Sequence, residues 1–220
     1  MSERPETPGQ DLFAGRHPTS HERMSGRPWD ASYQDGPAPW DIGVPQPAIE
    51  RVVLGLGIVG PVLDAGCGTG ENTLLIASRG LQVLGVDVAE TALSMAREKA
   101  RGRGIDAEFA TADALHLERL GRTFATIIDS GLFHSFDPDE RQQYVASLAS
   151  VTAHDATAYV LCFSNVGPDL GPHPVSPEDL RAAFSAGSGW TVADIETDRV
   201  LTTFNDEYSA PAWLATIKRL

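Results

Sequence analysis

Residues 62–70, Val-Leu-Asp-Ala-Gly-Cys-Gly-Thr-Gly, carry an apolar stretch straight into a glycine-rich turn, and Asn72 to Ala77 behind it has helical character. Val62 and Leu63 favour extended backbone, and Asp64 stands at the carboxyl end of the strand they begin. Gly66, Gly68 and Gly70 let the chain bend tightly with its N–H groups exposed. Strand, turn and helix in that order put free N–H groups at a helix amino terminus, where a ligand carboxylate or phosphate is favoured. A dinucleotide site uses the same pattern, so the glycines alone leave two cofactor classes open.

The segments that follow narrow the choice. Leu81 to Asp87 reads as a second parallel strand and Ala107 to Asp113 as a third, so three strands end in acids: Asp64, Asp87 and Asp113. Ligands of open α/β sheets bind beyond the carboxyl ends of the strands. One carboxylate there suits a ribose diol, and another can accept from an adenine amino group.

These residues resemble the class I S-adenosylmethionine-dependent methyltransferases, on Val62 to Gly70, on Gly85-Val86-Asp87 and on Ala112-Asp113-Ala114. The resemblance spans residues 27–220. It implies an α/β, Rossmann-like sheet of seven mostly parallel strands with an antiparallel last strand and helices on both faces. It implies S-adenosyl-L-methionine as cofactor, with Asp64, Gly66, Cys67, Gly68 and Gly70 around its methionine part, Asp87 with Val88 on the ribose, Asp113 with Ala114 at the adenine, and Asp129 and Ser130 behind the fourth strand.

Charge and composition limit the partners. A formal charge of −13 over 220 residues argues against nucleic acid, whose phosphates need clustered Lys and Arg. A small-molecule acceptor is expected instead. Cys67 and Cys162 form no disulfide framework and no metal-ligand spacing, so no metal is expected. No apolar run suits a membrane span or a secretory leader, so the reading is a cytoplasmic protein, with monomer or homodimer left open. Residues 1–25, rich in Pro, Gly, Ser, Glu, Arg and His, are expected to be a disordered tail, with His17 and His21 as surface histidines.

Residues 26–220 then form a single domain whose first part, 26–49, carries Trp29, Tyr33 and Trp40 among prolines. That segment resembles the amino-terminal part of methyltransferases acting on small thiols, halides and heterocyclic or phenolic compounds, including the thiopurine methyltransferase group. By that resemblance the three aromatics close over the methionine end of the cofactor. Their plain alternative is packing against the domain.

Further along, Phe124 to Asp129 is a fourth strand, and its following loop, Ser130 to Phe136, leaves the sheet on the acid-bearing edge. His134 in that loop is a candidate base, substrate contact or packing residue, and Phe133 and Phe136 are candidate pocket wall. Ala156 to Phe163 is a fifth strand, followed by a Gly- and Pro-rich loop in which Asn165 and His173 are further candidates for the acceptor pocket. Trp190 to Ile195 and Ala210 to Ile217 are the last two strands. The expected activity is in-line methyl transfer to an O, N or S nucleophile of a small aromatic or heterocyclic molecule. A thiol or halide acceptor, an NAD-dependent oxidoreductase, a cofactor-binding protein without catalysis and a purely structural module are the alternatives.

Overall fold

The computed structural model describes residues 13, 15–55, 57–167, 172–204 and 209–220. The expectations for residues 1–12 and 14 of the amino-terminal segment, and for 168–171 of the loop after the fifth strand, lie outside the described residues.

The chain opens with α1 (Ser20–Ser25) and α2 (Pro47–Gly55), joined through a single 3-10 turn at Trp29–Tyr33. Five strands then alternate with helices: β1 (Val62–Ala65), α3 (Glu71–Ser78), β2 (Val83–Asp87), α4 (Glu90–Arg103), β3 (Glu108–Thr111), β4 (Phe124–Ser130), α5 (Pro138–Ser150) and β5 (Thr152–Phe163). Next come α6 (Pro177–Ala183) and the hairpin of β6 (Trp190–Leu201) and β7 (Ser209–Arg219). The sheet order is β3-β2-β1-β4-β5-β7-β6, and β7 runs antiparallel to both of its neighbours. The seven-stranded sheet with an inserted antiparallel last strand is therefore the observed fold.

Side chains alternate across the sheet as strand geometry requires. Leu63, Ile127 and Val160 face one layer with Tyr144, Leu148 and Leu180 of α5 and α6, whereas Val62, Ile128 and Leu161 face the other with Ile49 and Val52 of α2. Both faces are covered, which is why the central strands read as continuous apolar runs. The chain winds outward from β1 in one direction and from β4 in the other, so a crevice opens at the carboxyl ends of these two neighbours. Strand β5 starts earlier than its apolar run suggests: Thr152 pairs with Phe124, the register then shifts, and Asp155 takes a positive φ of 64° in the irregular stretch.

Residues 15–25 lie in the segment expected to be a disordered tail, and they carry α1. Thr19 and Glu22 form a capping box on α1, and Glu22 is buried with Arg16 and the Trp29 N–H bonded to its carboxylate. Ser20 donates from both its N–H and its hydroxyl to Glu140 at the start of α5, each at 2.6 Å. Glu140 in turn belongs to the capping box of Asp137. The contacts of its described residues are buried charge-assisted bonds and not apolar burial.

Candidate active site

The glycine turn is fixed by its neighbours on the sheet. The Cys67 N–H donates to the Val86 carbonyl at 2.9 Å, and Gly70, with φ at 83°, has no room for a Cβ, which would sit 2.8 Å from the Ala96 methyl and 2.9 Å from the Phe109 ring. Asp87, at the end of β2, receives the Gly68 N–H on one oxygen and the Ala89 N–H on the other, both at 2.9 Å. Each oxygen keeps a lone pair for further donors. Burial raises the Asp87 pKa, against the pull of these N–H groups.

The 26–49 segment crosses above this turn. Trp40 Nε1 donates to Tyr33 Oη at 2.9 Å, and the Trp29 and Trp40 rings meet edge to face at 5.6 Å. Asp30 bonds both the N–H and the hydroxyl of Thr91 and so caps α4 from across the fold. Thr69 of the glycine turn donates to Asp41 at 2.9 Å and accepts from Lys99 at 2.7 Å. Burial, with the Asp87 carboxylate next in importance, pushes the Tyr33 phenol far above its usual range, so it stays protonated.

One continuous pocket runs from the glycine turn to α1, with about 1480 Å³ of empty space counted out to its open mouth. Its lining joins the glycine turn to the aromatic side chains of the amino-terminal segment in one space. Of the residues singled out in the sequence, Gly66, Cys67, Gly68, Gly70, Asp87, Val88, Asp113, Ala114 and Ser130 line the cofactor end. Tyr33, whose hydroxyl stands over Gly68, belongs to the same end, and Trp29, Trp40, His134 and Phe136 also line the pocket.

Five candidates lie elsewhere. Asp129 is fully buried beneath the floor, where it accepts from the Leu132 and Phe133 N–H groups and from the Tyr144 hydroxyl; burial pushes its pKa up to about 7. Asp64 is buried behind the turn and bonds Thr73 at 2.5 Å, and burial raises its pKa to about 6; its second oxygen has no partner among the described residues. Phe133 packs in the core with Phe184, Asn165 is exposed, and His173 Nε2 pairs with the Ser20 hydroxyl at 3.1 Å. The side chain of Asp113 also does local work, taking the Leu115 N–H at 3.0 Å as a helix cap.

His134 takes a defined form. The Phe163 N–H donates to its Nδ1 at 3.2 Å and the two rings stack at 4.2 Å, so the proton resides on Nε2. Burial, helped by the Arg141 charge, lowers its pKa from 6.5 to about 3. In this form it donates and does not accept, which corrects its candidacy as a base. Sequence reading missed His21, Asp41 and Phe204, all at the pocket wall. Only the Trp-Pro-rich character of 26–49 hinted at Asp41; His21 and Phe204 carried no signal of their own.

The residues at the cofactor end fit S-adenosylmethionine. The turn offers N–H groups for a carboxylate, Asp87 has acceptor capacity for a diol, and Val88 and Ala114 give an apolar slot for a base. The sheet's antiparallel final strand separates this molecule from dehydrogenases that share the glycine turn, and its class is that of the S-adenosylmethionine-dependent methyltransferases.

The comparisons with known proteins agree. Residues 62–155 match a family model described as a methyltransferase domain. Over 196 residues, covering 87% of this chain and 81% of the relative, the sequence is 37% identical to 2-heptyl-1-hydroxyquinolin-4(1H)-one methyltransferase of Mycobacteroides abscessus. It is 28% identical to thiocyanate methyltransferase 1 of Brassica oleracea, over 66% of this chain and 65% of that one. A solved structure described as concerning conversion of a disulfide bond into a thioacetal group during echinomycin biosynthesis superposes with a TM-score of 0.73 at 37% identity, covering 82% of this chain and 84% of its own. The chain belongs to the class I S-adenosylmethionine-dependent methyltransferases, and S-adenosylmethionine is its methyl donor. Among the described residues, no helix is long and apolar enough to cross a membrane.

Proposed function

We propose that the protein methylates a hydroxyl, ring-nitrogen or thiol nucleophile on a small, planar aromatic or heterocyclic molecule. The observation that carries this reading is the aromatic wall at the acceptor end, where Trp29, Trp40, Phe136, Phe163 and Phe204 border one space. Flat rings are recognised by such walls through stacked and edge-on contacts. The hydroxyquinolone named for the M. abscessus relative is an acceptor of that kind.

When bound, S-adenosylmethionine supplies an electrophilic methyl group on a sulfonium. The chain's part is alignment and exclusion of water: the 26–49 segment roofs the pocket and His134 presents an N–H at its wall. An anionic nucleophile loses its charge on attack, and a dry apolar site favours that loss. Arg16 is the one Lys or Arg among the described pocket-lining residues, and Glu22 engages it, which disfavours a small free anion such as thiocyanate as the principal acceptor. The free thiols of Cys67 and Cys162 fit a reducing, cytoplasmic setting.

Initial rates with hydroxyquinolones, phenols, aromatic and aliphatic thiols, iodide and thiocyanate test the proposal. The aromatic hydroxyl and nitrogen compounds should give the highest kcat/KM. Faster turnover of thiocyanate or iodide would overturn it.

A further inference from the structure

The acceptor end of the pocket holds two histidines in opposite conditions. His134 is committed through Nδ1 to the Phe163 N–H. His21, on α1, lies stacked on Trp29 with ring centroids 4.4 Å apart, lines the same space, and has neither ring nitrogen hydrogen-bonded among the described residues. Its neighbours on either side are both anchored, Ser20 to Glu140 and Glu22 to Arg16, Thr19 and the Trp29 N–H. The imidazole is thus held in place by everything around it and left free at its nitrogens.

Other groups that could take a proton are occupied or remote. Asp64 and Asp129 lie outside the pocket, Glu71 pairs with Arg103 and Lys99, and Asp41 accepts from Thr69. Asp87 faces the cofactor end, and the Cys67 thiol is buried with its pKa raised.

We propose that His21 is the general base of the reaction, taking the proton from the acceptor's O–H, N–H or S–H as the nucleophile attacks. The acceptor's X–H bond breaks and an N–H bond forms on imidazole. The X–C bond then forms as the C–S bond breaks, its electron pair passing to the departing sulfur. The imidazolium returns its proton to water at the pocket mouth. His134 Nε2–H serves beside it as a hydrogen-bond donor that orients the acceptor.

The electrostatics suit this role. Burial lowers the His21 pKa from 6.5; Glu22 on its own helix opposes this, and His173, from the loop after β5, adds to it. His134, from the loop after β4, faces it in the neutral form, and Glu140 on α5 is turned to Ser20. His21 is therefore neutral and able to accept at physiological pH.

The inference rests on a protic aromatic acceptor, and the test separates the two ideas. Two phenols are compared, one un-ionised at the assay pH and one nitro-substituted and already ionised. His21→Gln should lower kcat/KM for the first by about 100-fold or more, the usual range for a lost general base, and leave the second nearly unchanged. Calorimetric affinity for S-adenosylhomocysteine should not move. Added imidazole should restore His21→Ala on the un-ionised phenol, and an NMR C2–H resonance titrating below pH 6.5 should vanish in both variants. Equal losses on both phenols, no loss on either, or no rescue by imidazole would overturn the proposal. A wild-type enzyme that methylates thiols but no phenol would fail the aromatic-hydroxyl reading instead, and an un-ionised and an ionised thiol would then decide His21 by the same comparison.

Discussion

The two ends of the pocket are assembled by different kinds of contact. At the cofactor end the turn itself is set by bonds between sequence neighbours or adjacent strands, Cys67 to Val86, Gly68 to Asp87, Thr73 to Asp64, with Thr69 and Asn72 also reaching Asp41 and Gln46 of the amino-terminal segment. At the acceptor end they join the chain's extremes. Ser20 and Glu140 stand 120 residues apart, Gln46 bonds the main chain of Leu201 across 155, and the hydroxyl of Thr203 reaches the Pro39 carbonyl across 164. One end is thus a property of the β-α-β frame, and the other exists only once the whole sheet has closed.

If the ends are as separate as this suggests, the largest effect should come from the cofactor end and stay there. Asp87→Ala removes the carboxylate that we place on the two ribose hydroxyls, each bond to a charged group being worth about 1.5 to 3 kcal/mol. Affinity for S-adenosylhomocysteine measured by calorimetry should fall by at least tenfold. The Gly68 and Ala89 N–H groups also lose their partner, so a lower Tm should accompany it. Unchanged affinity would take Asp87 out of the site.

This separation also explains what could be read from the chain alone. The first strands and the residues from Gly66 to Ser130 follow from short patterns, apolar runs of strand length, acids at their ends and glycines where φ must be positive, whereas the antiparallel last strand is implied by the family resemblance alone. Asp129 looked like a fourth strand-end acid of the same kind. Its side chain instead turns inward to Tyr144 and two N–H groups, an orientation that depends on α5 and that no local pattern encodes. His21 was hidden for the opposite reason. It sits in a stretch whose composition predicts disorder, and the partners of that stretch, Glu140 and His173, lie far along the chain.

A second test sharpens the contrast through pH. His134 is held neutral in the folded protein, with its pKa near 3, whereas the unfolded chain takes up a proton below 6.5. The unfolded state then binds the extra proton, so stability is complete above 6.5 and is lost as pH falls toward 3, by about 1.4 kcal/mol for each pH unit. In His134→Asn, whose amide oxygen can still accept the Phe163 N–H, the slope of unfolding free energy against pH between 6.5 and 4 should be shallower by that amount. Urea titrations at matched pH values measure it. Equal slopes would show that this imidazole titrates in the folded protein.

The smallest effect is also the most specific to the acceptor end. Ser20→Ala deletes one hydroxyl that donates to the buried Glu140 carboxylate at 2.6 Å and pairs with His173. The main-chain bond from residue 20 to Glu140 survives, so the loss should be about 1 to 2 kcal/mol, enough to loosen the docking of α1 without unfolding the sheet. Amide exchange in residues 19–25 should quicken, since local opening is governed by the contacts that hold the segment down. The acceptor KM should rise several-fold because α1 carries part of that wall, while the affinity for S-adenosylhomocysteine stays as it was. A matching loss of cofactor affinity would mean that α1 closes the whole pocket as one lid, and the division between a framed end and an assembled end would have to be given up.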